Sequence, residues 1–213
     1  MGFALKINHI QVYKQIRTAP DSTAQSILRQ NEYIQTKTNI ILRTMDESPN
    51  ILWLAQIHNT DIPSVGGKGA SLGEMTNVGL PVPPAFVVTA QAFRRFLQMT
   101  KLEDTLFPML ESLDVDDNDA LNAASDKAKA MVETAVMPEV IRNDILASYK
   151  KMGKDIVVAV RSSATAEDLP GASFAGQQDT YLNIKGDDDV IDAVQRCWAS
   201  LYTARAIYYR SKN

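Results

Sequence analysis

The stretch from Val157 to Thr180 limits what this chain can fold into more than any other. Val157-Val158-Ala159-Val160 is a run of apolar, mostly β-branched residues, the pattern of a strand buried on both faces. It ends on Arg161, and a loop rich in hydroxyls and small residues follows, from Ser162-Ser163-Ala164-Thr165 to Gly176. Ligands in α/β folds gather where loops leave the carboxyl ends of strands. An arginine at such a point offers a planar fork of donors matched to phosphate or carboxylate. Ser162, Ser163 and Thr165 add hydroxyls, and Gly176 lets backbone approach a ligand without a Cβ in the way. The chemistry reads as an anion site suited to polyphosphate. A competing reading pairs Arg161 with Glu167 or Asp168 in a structural loop, and the residues alone leave both open.

A second glycine-rich segment, Gly66-Gly67-Lys68-Gly69, precedes a helical stretch expected over Ala70 to Val78. Backbone amides at a helix start attract phosphate, and a lysine adds a mobile positive charge. The segment is not a P-loop: Gly69 follows Lys68 where Ser or Thr is required, and Ile62 stands at the first glycine's place. Nor is it a dinucleotide fingerprint, because Leu72 occupies the third glycine's position. By itself it reads as a tight turn. Lys68 and Arg161 together, each beside a strand end and set among small residues, form a pair of cations that suits a triphosphate.

The remaining elements follow from periodicity. Ile51-Leu52-Trp53-Leu54 and Ala85-Phe86-Val87-Val88 read as strands, the second after the stiff run Leu80-Pro81-Val82-Pro83-Pro84. Leu72 and Met75 are expected to face inward from the 70–78 helix, with Gly79 as its C-terminal cap. Thr89 is placed to cap a helix whose Phe93, Phe96 and Leu97 share a face. Residues 102–136 read as helical, interrupted near Pro108 and at the acidic turn Asp114 to Asp119. Pro138 opens a helix with Ile141, Ile145, Tyr149 and Met152 on one side, closed by Gly153. Thr180 to Ile184 is a strand. A last helix starts at Gly186-Asp187-Asp188-Asp189 with Val190, Val194, Cys197, Trp198 and Leu201 as its stripe. This order of elements is α+β. Residues 1–44 are set apart by Lys6, Lys14, Arg17, Arg29, Lys37 and Arg43 against only Asp21 and Glu32. They are treated as an N-terminal extension to a 45–213 domain, with three readings open: a weakly ordered tail, an arm that packs on a partner, or residues ahead of a natural start of translation at Met45.

Charge and composition remove whole classes of function. With 22 basic and 25 acidic side chains among 213 residues, nothing proposes a nucleic-acid partner. No apolar run is long enough to span a bilayer and no signal peptide is visible, so the expected location is cytoplasmic. The single cysteine, Cys197, fits a reducing compartment and lies on an apolar helix face, where core packing is expected rather than nucleophilic chemistry. His9 and His58 are isolated, and Asp187 to Asp189 read as a solvated helix start rather than a metal cluster. No catalytic residue and no metal ligand is assigned.

With these residues in place, the sequence resembles a known family. Val65 through Met75, Gly79-Leu80-Pro81-Val82-Pro83-Pro84-Ala85-Phe86 and Val160 through Thr180 look like the N-terminal part of phosphoenolpyruvate synthases (pyruvate, water dikinases). The similarity runs from about Asn50 to Tyr209. The resemblance implies the first lobe of an ATP-grasp domain of the pyruvate phosphate dikinase N-terminal type, incomplete in this chain. Lys68 and Arg161 match the family's phosphate-contacting cations, and Gly176 and Thr180 match its nucleotide-contacting positions. The implied ligands are ATP and Mg2+, with the metal's ligands outside this chain. The implied reaction turns ATP, pyruvate and water into AMP, phosphoenolpyruvate and phosphate. Pyruvate would be reached only through missing domains, which a separate chain could supply. Rifampicin phosphotransferases share the second motif and are the nearest alternative; a non-catalytic nucleotide-binding relic is another.

Overall fold

Two short antiparallel ladders and the helices around them make up the described part of the chain. The computed structural model describes residues 48–154, 156–163 and 179–212. The chain divides after Ser48, and the described helices and strands belong to the unit beginning at Pro49. The 1–44 extension, His9, Glu167, Asp168 and Gly176 lie outside the described residues.

Strand β1 (Ile51–Trp53) pairs antiparallel with β2 (Phe86–Val88), Ile51 opposite Val88 and Trp53 opposite Phe86. The Trp53 and Phe86 rings are 5.6 Å apart, the kind of cross-strand aromatic pair that stabilises a short ladder. Between them come two 3₁₀ turns and helix α1 (Ile62–Asn77). Pro63 near the helix start has its φ already set for helix, so α1 begins well before Ala70. Gly66, with φ 73° and ψ 169°, breaks the helical path and lets it restart at Gly67. The buried face of α1 is Gly69, Ala70 and Gly73; of the two residues expected inside, Leu72 is half-buried against the small core, whereas Met75 is exposed. Small residues win because α1 lies so close to the preceding chain that a Cβ on Gly73 would sit 2.6 Å from the Ile57 carbonyl oxygen. Leu54, Ile57, Val65 and Ala70 form a small core there, backed by Leu52, Val82 and Val87. The expected cap is present: the Gly79 amide donates to Thr76 O at 3.1 Å and the Leu80 amide to Met75 O at 3.0 Å.

Helices α2 (Ala90–Met99), α3 (Glu103–Glu111), α4 (Asn118–Thr134) and α5 (Glu139–Met152) build the larger core. Pro108 lies inside α3 instead of interrupting it. Pro108 and Asp104, the residue whose carbonyl loses its partner, are both exposed, so the break in the ladder falls on the solvent side of the helix. Phe96, Leu106, Val132, Ile141 and Ile145 are fully buried. Phe93 packs against Trp198 (ring centroids 5.1 Å) and Phe96 against the same ring (5.0 Å).

Strand β3 (Val158–Arg161) pairs antiparallel with β4 (Thr180–Ile184). Burial on both faces does not occur: Val158 and Val160 are half-buried, Ala159 and Arg161 are exposed, and Val157 is 55% exposed. Among the described residues this sheet has only two strands, and α6 (Asp187–Ala199) packs on one side of it. An apolar run therefore ends up facing outward for half its length. Val190, Val194, Cys197 and Trp198 of the expected α6 stripe are buried, but Leu201 lies past the helix end in a 3₁₀ turn and is half-buried. Helix α6 is not the last helix, since this 3₁₀ turn and α7 (Ala204–Lys212) follow. Asp187 and Asp188 pair with Lys150 (2.9 Å) and Arg142 (2.8 Å), tying the start of α6 to α5.

Candidate functional site

The break at Gly66 is where two distant pieces of sequence meet. A Cβ built on Gly66 would lie 2.3 Å from Ser163 Oγ and 2.7 Å from the Ser163 carbonyl oxygen. Only hydrogen fits, so backbone lies directly on backbone. Three residues on, the Gly69 amide donates to Ser163 Oγ at 3.3 Å. Gly69 is in the first turn of the restarted helix, where amides have no intrahelical partner, so Ser163 acts as a cap supplied from 94 residues away. Lys68, half-buried, lies between these two contacts.

Arg161 is the last residue of β3, two positions before Ser163, and its side chain is exposed. Directly across the ladder is Thr180, also exposed, and the Ser162 amide continues the pairing to Asp179 O at 3.2 Å. Cross-strand partners share a face, so Arg161 and Thr180 present their side chains together. The structure thus brings the Lys68 segment to the end of β3 and sets Arg161 beside Thr180. Gly176, the fourth expected residue, falls outside the described residues.

These groups fit a phosphate. Ser162 Oγ is buried and, among the described residues, has no hydrogen-bond partner, a hydroxyl left for something else to satisfy. Gln91 Oε1 is in the same condition, while its amide nitrogen donates to Ser64 Oγ at 3.0 Å, two residues before the Gly66 break. Gln91 is missed by sequence reasoning because nothing local to α2 signals a contact with α1. The helix start adds partial positive charge to the two cations. Magnesium fits less well: among the described residues no group of three or more His, Cys, Asp or Glu gathers to hold a metal.

The other reactive side chains are engaged elsewhere. Burial pushes the Cys197 thiol up to about 12, so it remains protonated core. His58 Nδ1 lies 3.5 Å from Asn77 Nδ2, at the far end of α1. Tyr181 points to the α6 side, its ring 4.1 Å beneath the Arg196 guanidinium and its hydroxyl donating to Asp179 at 3.0 Å. Burial first, then the Asp179 carboxylate, push that hydroxyl up to about 12.

A glycine-broken helix start docked on a strand ending in arginine is the local arrangement, and comparison with known sequences defines the class of protein that carries it. The chain belongs to the pyruvate phosphate dikinase AMP/ATP-binding domain family, which matches residues 62–213, from the first residue of α1 onward. It is 56% identical over 179 residues to a probable phosphoenolpyruvate synthase of Methanocaldococcus jannaschii, a match covering 81% of this chain and 15% of that protein. It is 42% identical over 199 residues to the phosphoenolpyruvate synthase of Pyrococcus furiosus, covering 76% of this chain and 24% of that one. The phosphoenolpyruvate synthase of Aeropyrum pernix is 47% identical over 166 residues, covering 75% and 20%. The chain therefore spans a quarter or less of the length of these relatives. Among the described residues, no helix is long and apolar enough to cross a membrane.

Proposed function

We propose that this chain is the first lobe of an ATP-grasp domain and the ATP-binding part of a cytoplasmic phosphoenolpyruvate synthase. The contact of Gly66 and Gly69 with Ser163 carries the reading, because it brings the lysine segment and the arginine-ended strand to one place. Lys68 and Arg161 bind the phosphate chain of ATP, while Thr180 and Gly176 contact the nucleotide. Phosphoryl transfer asks little covalent chemistry of the protein and much positioning and charge neutralisation. A lysine on a helix start and an arginine at a strand end supply charge neutralisation for the phosphates. The Ser162 hydroxyl, buried without a partner among the described residues, is a further donor toward the phosphates.

In the synthase reaction ATP, pyruvate and water become AMP, phosphoenolpyruvate and phosphate. Magnesium would shield the phosphate charge, held by residues outside this chain, and pyruvate would bind on other domains. The names of the relatives favour the synthase over an antibiotic phosphotransferase. A first lobe alone binds ATP weakly and does not complete the reaction.

The test is isothermal titration with ATP of this chain joined to the remaining domains. Lys68→Ala and Arg161→Ala should each raise Kd by roughly 10- to 100-fold, since a charged hydrogen bond contributes on the order of 1.5–3 kcal/mol. Unchanged affinity in both variants would overturn the assignment.

A further inference from the structure

The ladder between β3 and β4 contains one residue too many. Val158 is opposite Ile184, but Val160 is opposite Tyr181 and Arg161 opposite Thr180. Continued without interruption, the first pairing would have set Val160 against Leu182 and Arg161 against Tyr181. One residue of β3, Ala159, instead spans two of β4, Leu182 and Asn183. This is a β-bulge, and Asn183 sits in the left-handed region with φ 58°. The exposure of β4 records the slip: Ile184 half-buried, Asn183 and Leu182 both exposed, Tyr181 half-buried, Thr180 exposed.

A strand reverses faces when its register shifts by one. Without the bulge, strict alternation from Ile184 would turn Leu182 and Thr180 toward α6 and put Tyr181 outward beside Arg161. With it, Tyr181 goes under the Arg196 guanidinium and Thr180 comes out beside Arg161. We infer that Asn183 is a positioning residue for the nucleotide site: its left-handed conformation makes the bulge that places Thr180 on the same face as Arg161. Asn183 does not touch the nucleotide. Asparagine is among the few residues with a side chain that adopt this conformation readily, and glycine adopts it more easily still. A β-branched residue strongly resists it.

The inference rests on the reading of Arg161 and Thr180 as nucleotide contacts, and the experiment separates the two. ATP affinity and the melting temperature without nucleotide are measured for Asn183→Gly, Asn183→Ala, Asn183→Val and Arg161→Ala in the joined protein. Asn183→Val should raise Kd for ATP about tenfold and Asn183→Ala by a smaller factor, the cost of the left-handed conformation appearing as lost Thr180 placement. Asn183→Gly should stay within about twofold of the parent, because it keeps the bulge. A role in folding alone would lower the melting temperature of the valine and alanine variants and leave Kd unchanged; that result overturns the inference. So does a glycine variant that loses as much affinity as valine. If the valine variant does not fold, the alanine and glycine pair decides. Should Arg161→Ala also leave Kd unchanged, the reading of the Arg161–Thr180 face as a nucleotide contact is wrong; should it raise Kd while the asparagine variants do not, only the role of Asn183 fails.

Discussion

A methyl group on Gly66 would have nowhere to go. It would meet Ser163 Oγ at 2.3 Å and the Ser163 backbone at 2.7 Å, and the φ of 73° would strain any L side chain besides. Gly79 has a similar φ of 80° but open space around it. The two glycines therefore separate conformational strain from contact. Gly79→Ala should cost about 1 kcal/mol of stability, the backbone term alone. Gly66→Ala should cost on the order of 2–4 kcal/mol and also weaken ATP binding, because Ser163 and the β3 end must move away from Lys68. Urea denaturation of both variants, with ATP titration of the first, checks this. Equal destabilisation of the two would mean that the Ser163 contact contributes nothing.

Among the elements, α2 shows how one cap serves two purposes. Thr89 Oγ1 accepts from the Ala92 amide at 3.2 Å and donates to Pro49 O at 2.8 Å, while the Thr89 amide donates to Asn50 O at 2.9 Å. The buried Asn50 side chain then donates to Asp144 Oδ2 at 2.7 Å and accepts from Arg95. The end of β2, the start of β1, α2 and α5 are thereby joined through two polar side chains. Thr89→Ala removes the cap and leaves Pro49 O without that donor. A loss of about 1–2 kcal/mol is expected, read from the urea midpoint, with Thr89→Ser retaining most of it. If Thr89→Ala kept the parent's midpoint, the cap would be incidental. Serine serves because the hydroxyl, rather than the methyl, makes both bonds.

For the molecule as a whole, the buried Tyr202 hydroxyl and Cys197 thiol and the half-buried Tyr181 hydroxyl resist ionisation at alkaline pH. Desolvation pushes Tyr202 and Cys197 up to about 12, and burial together with Asp179 does the same for Tyr181. Their usual values are near 10.0 for tyrosine and 9.0 for cysteine. The unfolded chain therefore loses these protons first. Their contribution to stability is complete below pH 9 and is lost as pH rises toward about 12. Tyr202, buried against the larger core, accounts for on the order of 2 kcal/mol of that loss. Denaturation midpoints should fall steeply between pH 9.5 and 11.5, roughly the window these shifts define, and Tyr202→Phe should flatten part of the fall. A parent curve level through pH 11 would show that these groups are not desolvated. Local sequence determined much of this molecule: the strand segments, the stripes of α2, α5 and α6 and the Thr89 and Gly79 caps are legible because each depends on neighbours a few residues away. Tertiary structure alone decided the rest. That β3 buries one face, that α1 breaks at Gly66 against Ser163 and that Asn183 turns Thr180 outward all depend on which chain lies opposite, and periodicity within one segment holds no record of its partner.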